Sequence, residues 1–144
     1  MDYITSIITV FLAGMLELWL AIPLGWILKL PLLVTAVTSS LGSIVAAIIV
    51  AFAGSDLRSR FLKWKYGTDS DLKESKIYKI WNKYGIIGLG MLSPLLFGSP
   101  LGTAIGIILG ANRNGLLLWM SIGIVIWGTG LTTALYLGLI SMNI

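Results

Sequence analysis

The sequence predicts an all-α integral membrane protein built from two inverted repeats. Each repeat is expected to be a re-entrant helical hairpin followed by a transmembrane helix. Three observations carry this: long charge-free stretches, their alternation of interrupted and uninterrupted apolar blocks, and a single basic linker between two halves. Leu30 to Ser55, Tyr84 to Asn112 and Asn114 to Ile144 hold no charged residue. Each exceeds the roughly 20 residues that cross a bilayer.

Composition supports the same class. Of 144 residues, 57% are hydrophobic and 11% charged, against about 25% charged in a soluble domain. With neither histidine nor cysteine, zinc sites, histidine-based triads, haem ligation and disulfides are not expected. No phosphate loop is present, so neither a cofactor nor an enzymatic activity is expected. The net charge of +4 reflects membrane orientation rather than nucleic-acid binding. Asp2 stands where a secretory signal would be basic, so no cleaved leader is expected.

Four apolar blocks follow in order. Tyr3 to Leu28 is interrupted by Glu17 and Pro23, and Leu32 to Gly54 is clean. Tyr84 to Ala111 is interrupted by Pro94 and Pro100, and Gly115 to Ile140 is clean. The reading is one membrane domain, 1–144, with repeat one at 1–54, a linker at 55–84 and repeat two at 85–144. Gly14-Met15-Leu16 before Pro23-Leu24-Gly25 matches Gly90-Met91-Leu92 before Pro100-Leu101-Gly102, with spacings that differ by one residue.

Proline removes a helical hydrogen bond and clashes with the preceding turn. Backbone freed in this way survives at membrane depth only under protein cover or beside a water-filled cavity. Paired interrupted segments in two halves point to a transporter binding site. Expected hairpin limbs are Tyr3 to Leu16 with Leu24 to Leu30, and Gly85 to Leu92 with Leu101 to Gly110. At ~1.5 Å per residue each is too short to span alone. The alternative is a kinked but complete crossing.

Ser55 to Lys83 carries eight of the ten Lys and Arg residues. It reads as two amphipathic helices in the headgroup plane, with Leu57, Phe61 and Trp64 on one apolar face and Ile77, Ile80, Trp81 and Tyr84 on the other. Its basic density places the linker in the cytoplasm of a multi-pass plasma-membrane protein. With hairpins, Arg113 joins it inside, while Lys29 and both termini lie outside. With four crossings, Arg113 lies outside.

Glu17 is the only carboxylate in the apolar blocks. Loss of water favours its neutral form, which makes it the candidate proton-coupling or substrate residue. The structural alternative is a protonated cap at a hairpin tip. Pro23 and Pro100 are expected to open their second limbs, whose free N–H groups would attract an anion. The predicted tips comprise Pro23, Gly25, Ser93, Pro94, Ser99, Pro100, Gly102 and Thr103. Ser39 and Ser40 are expected to satisfy local backbone. Gly98, Gly102, Gly106 and Gly110, spaced by four, are read as a helix-packing face. Similar small-residue spacing at Gly130, Ala134 and Gly138 extends that expectation to close packing within the chain or across a homodimer.

The run Glu17 to Gly25, with Ser99-Pro100-Leu101-Gly102-Thr103, Gly106 and Leu109-Gly110, resembles the small multidrug export protein family across nearly the whole chain. That family is distantly similar to the DedA membrane proteins. The similarity implies paired re-entrant hairpins and proton-linked lipid-carrier flipping, with Glu17 as the first-hairpin acid and Pro100 as the second-hairpin proline. The chain departs from DedA in placing Ser93 and Ser99 where arginines surround the second tip. Three functional readings follow: proton-coupled transport or export of a small solute, flipping of a lipid or lipid carrier, and a membrane scaffold without transport. The expected partners are membrane lipids and a second copy of the chain.

Overall fold

The computed structural model describes residues 2–54, 56, 59, 60, 63 and 76–142, with the backbone alone for 76–84. Six helices follow in order: α1 (Tyr3–Leu16), α2 (Leu18–Ile27), α3 (Leu32–Phe52), α4 (Lys76–Leu96), α5 (Ser99–Ile108) and α6 (Arg113–Ser141). No strand occurs among the described residues. Most of the linker, including the face of Leu57, Phe61 and Trp64, lies outside them. α4 bends at Gly85, whose φ of 64° breaks the helical run at the predicted start of the second repeat.

The first break falls on Glu17, a single extended residue (φ −157°, ψ 129°) that closes α1 and opens α2. Its N–H donates to the Ala13 carbonyl at 2.8 Å, and its carbonyl accepts from Leu20 and Ala21. Pro23, expected to begin the second limb, lies inside α2 instead, and it is exposed. The second break is at Gly98 (φ 83°, ψ 158°), a backbone conformation essentially confined to glycine. Pro100 lies in the first turn of α5, as predicted, and Pro94 falls within α4.

Helix bounds in the two halves run in step. α2 and α5 each have ten residues. Leu18 corresponds to Ser99, Ile27 to Ile108 and Leu32 to Arg113, a constant shift of 81 positions. Glu17 falls opposite Gly98 in that alignment, while Gly14 and Gly90 take like places in the packing, against Ser39 and Trp119. α2 and α5 also end alike. The N–H of Leu30 reaches the Gly25 carbonyl and that of Lys29 the Trp26 carbonyl. Ala111 to Gly106 and Gly110 to Ile107 repeat the pattern. Both are Schellman caps, with Lys29 (φ 57°) and Gly110 (φ 90°) at the left-handed position.

Within each half the chain doubles back. Val10, Ala21 and Leu30 share one buried cluster, with Ile7, Ala13 and Leu28 packed on it, so α2 returns along α1. α5 returns along α4, where Gly102 faces Ser93 and Gly106 faces Leu89. α1 then packs on α3, and α4 on α6, at glycines with no room for a side chain. Added carbons at Gly42 and Gly123 would overlap the carbonyl oxygens of Phe11 and Gly90. Ser43 donates to the Gly14 carbonyl at 2.6 Å in the same seam.

α3 and α6 form the antiparallel centre. Tyr136 donates to the Leu30 carbonyl at 2.5 Å, Gly128 meets Ser40, and Ala47 and Ala51 pack with Leu116, Met120 and Ile124. At the far end the Arg113 guanidinium lies 4.9 Å from the Phe52 ring centroid. Arg113 and the start of the linker therefore share one end, and Lys29 lies by the other. Among the described residues, α3 and α6 are the helices long and apolar enough to cross a bilayer.

Glycine roles also divide more finely than their spacing implies. Gly102 and Gly106 are packing positions, while Gly98 and Gly110 serve backbone caps. Gly123→Leu is expected to destabilise the fold by about 1–3 kcal/mol or more through overpacking. Gly130→Leu, which meets nothing within 4 Å, should leave thermal stability of the single protomer unchanged. Melting curves of the two purified variants check this contrast.

Candidate functional site

The two helix breaks meet. A Cβ built on Gly98 would stand 3.6 Å from the Leu16 carbonyl oxygen and 3.9 Å from Glu17 Cγ. Beside this point the Trp19 indole N–H donates to the Leu95 carbonyl at 2.8 Å. One cross-contact joins the end of α1 to the start of α5. The other joins the end of α4 to the start of α2. Helix C-termini present free carbonyls and N-termini free N–H groups, with partial charges of opposite sign. Each broken half thus offers the other a complementary terminus.

Glu17 occupies this junction, half-buried. Its side chain does not cap α2, so the capping alternative fails at its own helix. Leu18, the next residue, is fully buried. The carboxyl has no ionisable neighbour on α3, on α5 or in the stretch Gly85–Leu96, none of which contains a charged residue or tyrosine.

The second break is lined by hydroxyls, each in a different state. Ser93 is buried and donates to the Met120 sulfur at 3.3 Å, while Thr103 donates to the Ser99 carbonyl at 2.7 Å. Ser99 is 1% exposed, and its hydroxyl has no partner among the described residues. Gly98 places no side chain over the first turn of α5, and Pro100 supplies no N–H there. The Gly102 N–H already bonds the Gly98 carbonyl at 3.1 Å.

Of the residues predicted for the tips, Ser93, Pro94, Ser99, Pro100, Gly102 and Thr103 lie at or beside the second break. Pro23 and Gly25 do not belong to the first. Gly25 is pressed against the Thr35 side chain, one turn from the Schellman cap. Ser39 satisfies local backbone by donating to the Thr35 carbonyl at 2.7 Å, as expected. Trp19 and the Leu16 carbonyl were not picked out by sequence reasoning. An indole N–H two residues past a lone carboxylate, inside an apolar run, was the available signal, because an indole donor away from water needs an acceptor.

An all-helical chain with two full-length apolar helices and two interrupted pairs has the build of a membrane protein. Residues 17–129 match the family described as "Putative small multi-drug export protein". The chain belongs to that family, whose name makes it a membrane protein of export. No curated protein and no solved structure matches the chain.

The Trp19 bond is the most direct side-chain link between the two breaks. Trp19→Phe keeps the ring and removes the donor. It should cost about 0.5–1.5 kcal/mol, the net worth of one hydrogen bond. Thermal unfolding of the purified variant, compared with an exposed-tryptophan control at Trp26, measures the loss.

Proposed function

We propose that the chain is a secondary transporter that moves a small solute out of the cell in a cycle coupled to protons. Glu17 is the proton carrier. The observation that supports this most is the meeting of the two helix breaks at the one intramembrane carboxylate. Ionisable groups at such depth are costly and serve function by default. Substrate and ion sites of transporters lie where interrupted helices of two repeats face each other.

In this reading the pairs α1–α2 and α4–α5 are re-entrant hairpins, and α3 and α6 are the two crossings. At ~1.5 Å per residue, the 14 residues of α1 rise about 21 Å and the ten of α2 about 15 Å, short of the roughly 30 Å hydrocarbon core. The packing pattern supports a two-fold arrangement, since α1 on α3 and α2 on α3 are answered by α4 on α6 and α5 on α6. Antiparallel α3 and α6 give the halves opposite orientation. Arg113 joins the basic linker on the cytoplasmic side, by the positive-inside rule.

One observation favours a second reading, movement of a lipid or lipid-like carrier. The junction is flanked by exposed Trp19, Leu20, Leu96 and Phe97. A route that opens between them leads into lipid rather than water.

Glu17→Gln preserves size and hydrogen bonding but cannot change charge. Reconstituted into liposomes with an entrapped pH dye, it is expected to insert normally and lose pH-driven transport. Glu17→Asp should retain part of it. Wild-type proton and solute movement by Glu17→Gln would end proton coupling through this residue.

A further inference from the structure

We infer that the end of the fold formed by the start of α4 and the start of α6 is a docking surface for anionic phospholipid headgroups. It is independent of proton coupling and of Glu17. The first observation is the register of α4 before its bend at Gly85. Lys76, Lys79 and Lys83 fall within an arc of about 60° at 3.6 residues per turn. Ile77, Ile80, Trp81 and Tyr84 fall within a neighbouring arc of about 100°. A basic arc beside an apolar one is the pattern of a helix lying in the plane of the lipid headgroups.

The fold brings a fourth cation to the same level. A Cβ built on Gly115 would stand 3.9 Å from Ile86 Cδ1, so the residue after the bend packs beside the first turn of α6. Arg113 opens that helix, exposed, with its guanidinium 4.9 Å from the Phe52 ring centroid. The ring face attracts the guanidinium but brings no negative charge. The first turn of α6 has no acidic residue, so Arg113 adds to the positive end of the helix dipole. No Asp or Glu follows Glu74 in the sequence, and between Ser55 and Ser75 five bases already outnumber four acids. Like charges gathered at one level repel each other. The chain holds no surplus of acid to balance them, so the balancing anion comes from outside it.

The apolar surroundings narrow what that anion is. Phe52 and Ile87, at the same end, are 64% and 54% exposed. An amphiphile with a negative head and apolar tails matches the cations and these side chains together. A free phosphate matches the cations alone, and a zwitterionic lipid carries a cation of its own to the site. Each Lys or Arg near an anionic membrane surface strengthens the attraction roughly fivefold, so four acting together distinguish an anionic lipid from a neutral one.

The test is lipid selectivity of the full-length protein in phosphatidylcholine vesicles. Trace spin-labelled phosphatidylglycerol or phosphatidylcholine is added, and electron spin resonance measures the fraction of each held at the protein. Wild type should hold more phosphatidylglycerol than phosphatidylcholine, and concentrated sodium chloride should remove the difference by screening. The triple variant Lys76→Gln, Lys79→Gln, Lys83→Gln should hold the two lipids alike, and Arg113→Gln should lower the preference. Lys29→Gln, at the opposite end, should leave it unchanged. Trp81→Lys combined with Lys83→Trp keeps the net charge but moves one cation out of the basic arc, and it should weaken the preference as well. Excess inorganic phosphate should not displace the lipid. Equal retention of both lipids by wild type would overturn the proposal. So would a full preference in the triple variant, a preference lost in Lys29→Gln alone, or displacement by phosphate.

Discussion

A helix that stops inside a lipid bilayer leaves N–H and C=O groups with no water to turn to, at several kcal/mol for each one left unpaired. In the proposed re-entrant arrangement this chain stops its helices twice in that way, at Glu17 and at Gly98, and it brings the two stops together. The carbonyl end of α1 faces the N-terminus of α5. The carbonyl end of α4 receives the Trp19 indole from the start of α2. Each stop keeps backbone bonds within its own half, Glu17 N–H to Ala13 and Gly98 N–H to Ser93, and the Trp19 indole ties the two together. α3 and α6 cross between the halves, and glycine seams at Gly14, Gly42, Gly90 and Gly123 bring the broken pairs close to them.

The same arrangement explains why a chain with so few polar residues keeps hydroxyls in its interior. Ser39, Ser43, Thr103 and Thr132 each donate to a backbone carbonyl at 2.6–2.7 Å. Such bonds cost nothing in unpaired groups and keep side chains small where helices touch. Ser99 departs from this pattern. Its hydroxyl, in the turn that follows the second break, has no partner among the described residues.

Much of this was legible in the sequence, and the misses have physical causes. Charge-free runs longer than a bilayer fixed the membrane class. The limb Tyr3–Leu16 was read with its observed bounds, and the bend at Gly85 fell where the second repeat was expected to begin. Proline misled at Pro23, because a helix of ten residues tolerates one unmade bond on an exposed face, while the actual break needed only one extended residue at Glu17. Spacing by four also cannot separate a glycine that admits a neighbouring helix, such as Gly106, from one that takes a positive φ, such as Gly110. Both roles select the same residue.

The account stands or falls on whether the interrupted pairs turn back within the membrane or pass through it. Arg113 packs over Phe52 at the linker end of α3, and Lys29 sits at the other end of the α3–α6 pair. The chain has no cysteine of its own, so single cysteines report cleanly. Lys29→Cys and Asn114→Cys can be exposed in intact cells to a thiol reagent that does not cross membranes. Labelling at position 29 with protection at position 114 until the cells are opened is the result that two re-entrant pairs require. Labelling of both positions in intact cells would mean four complete crossings, and the meeting of the two breaks could not then be the centre of the protein.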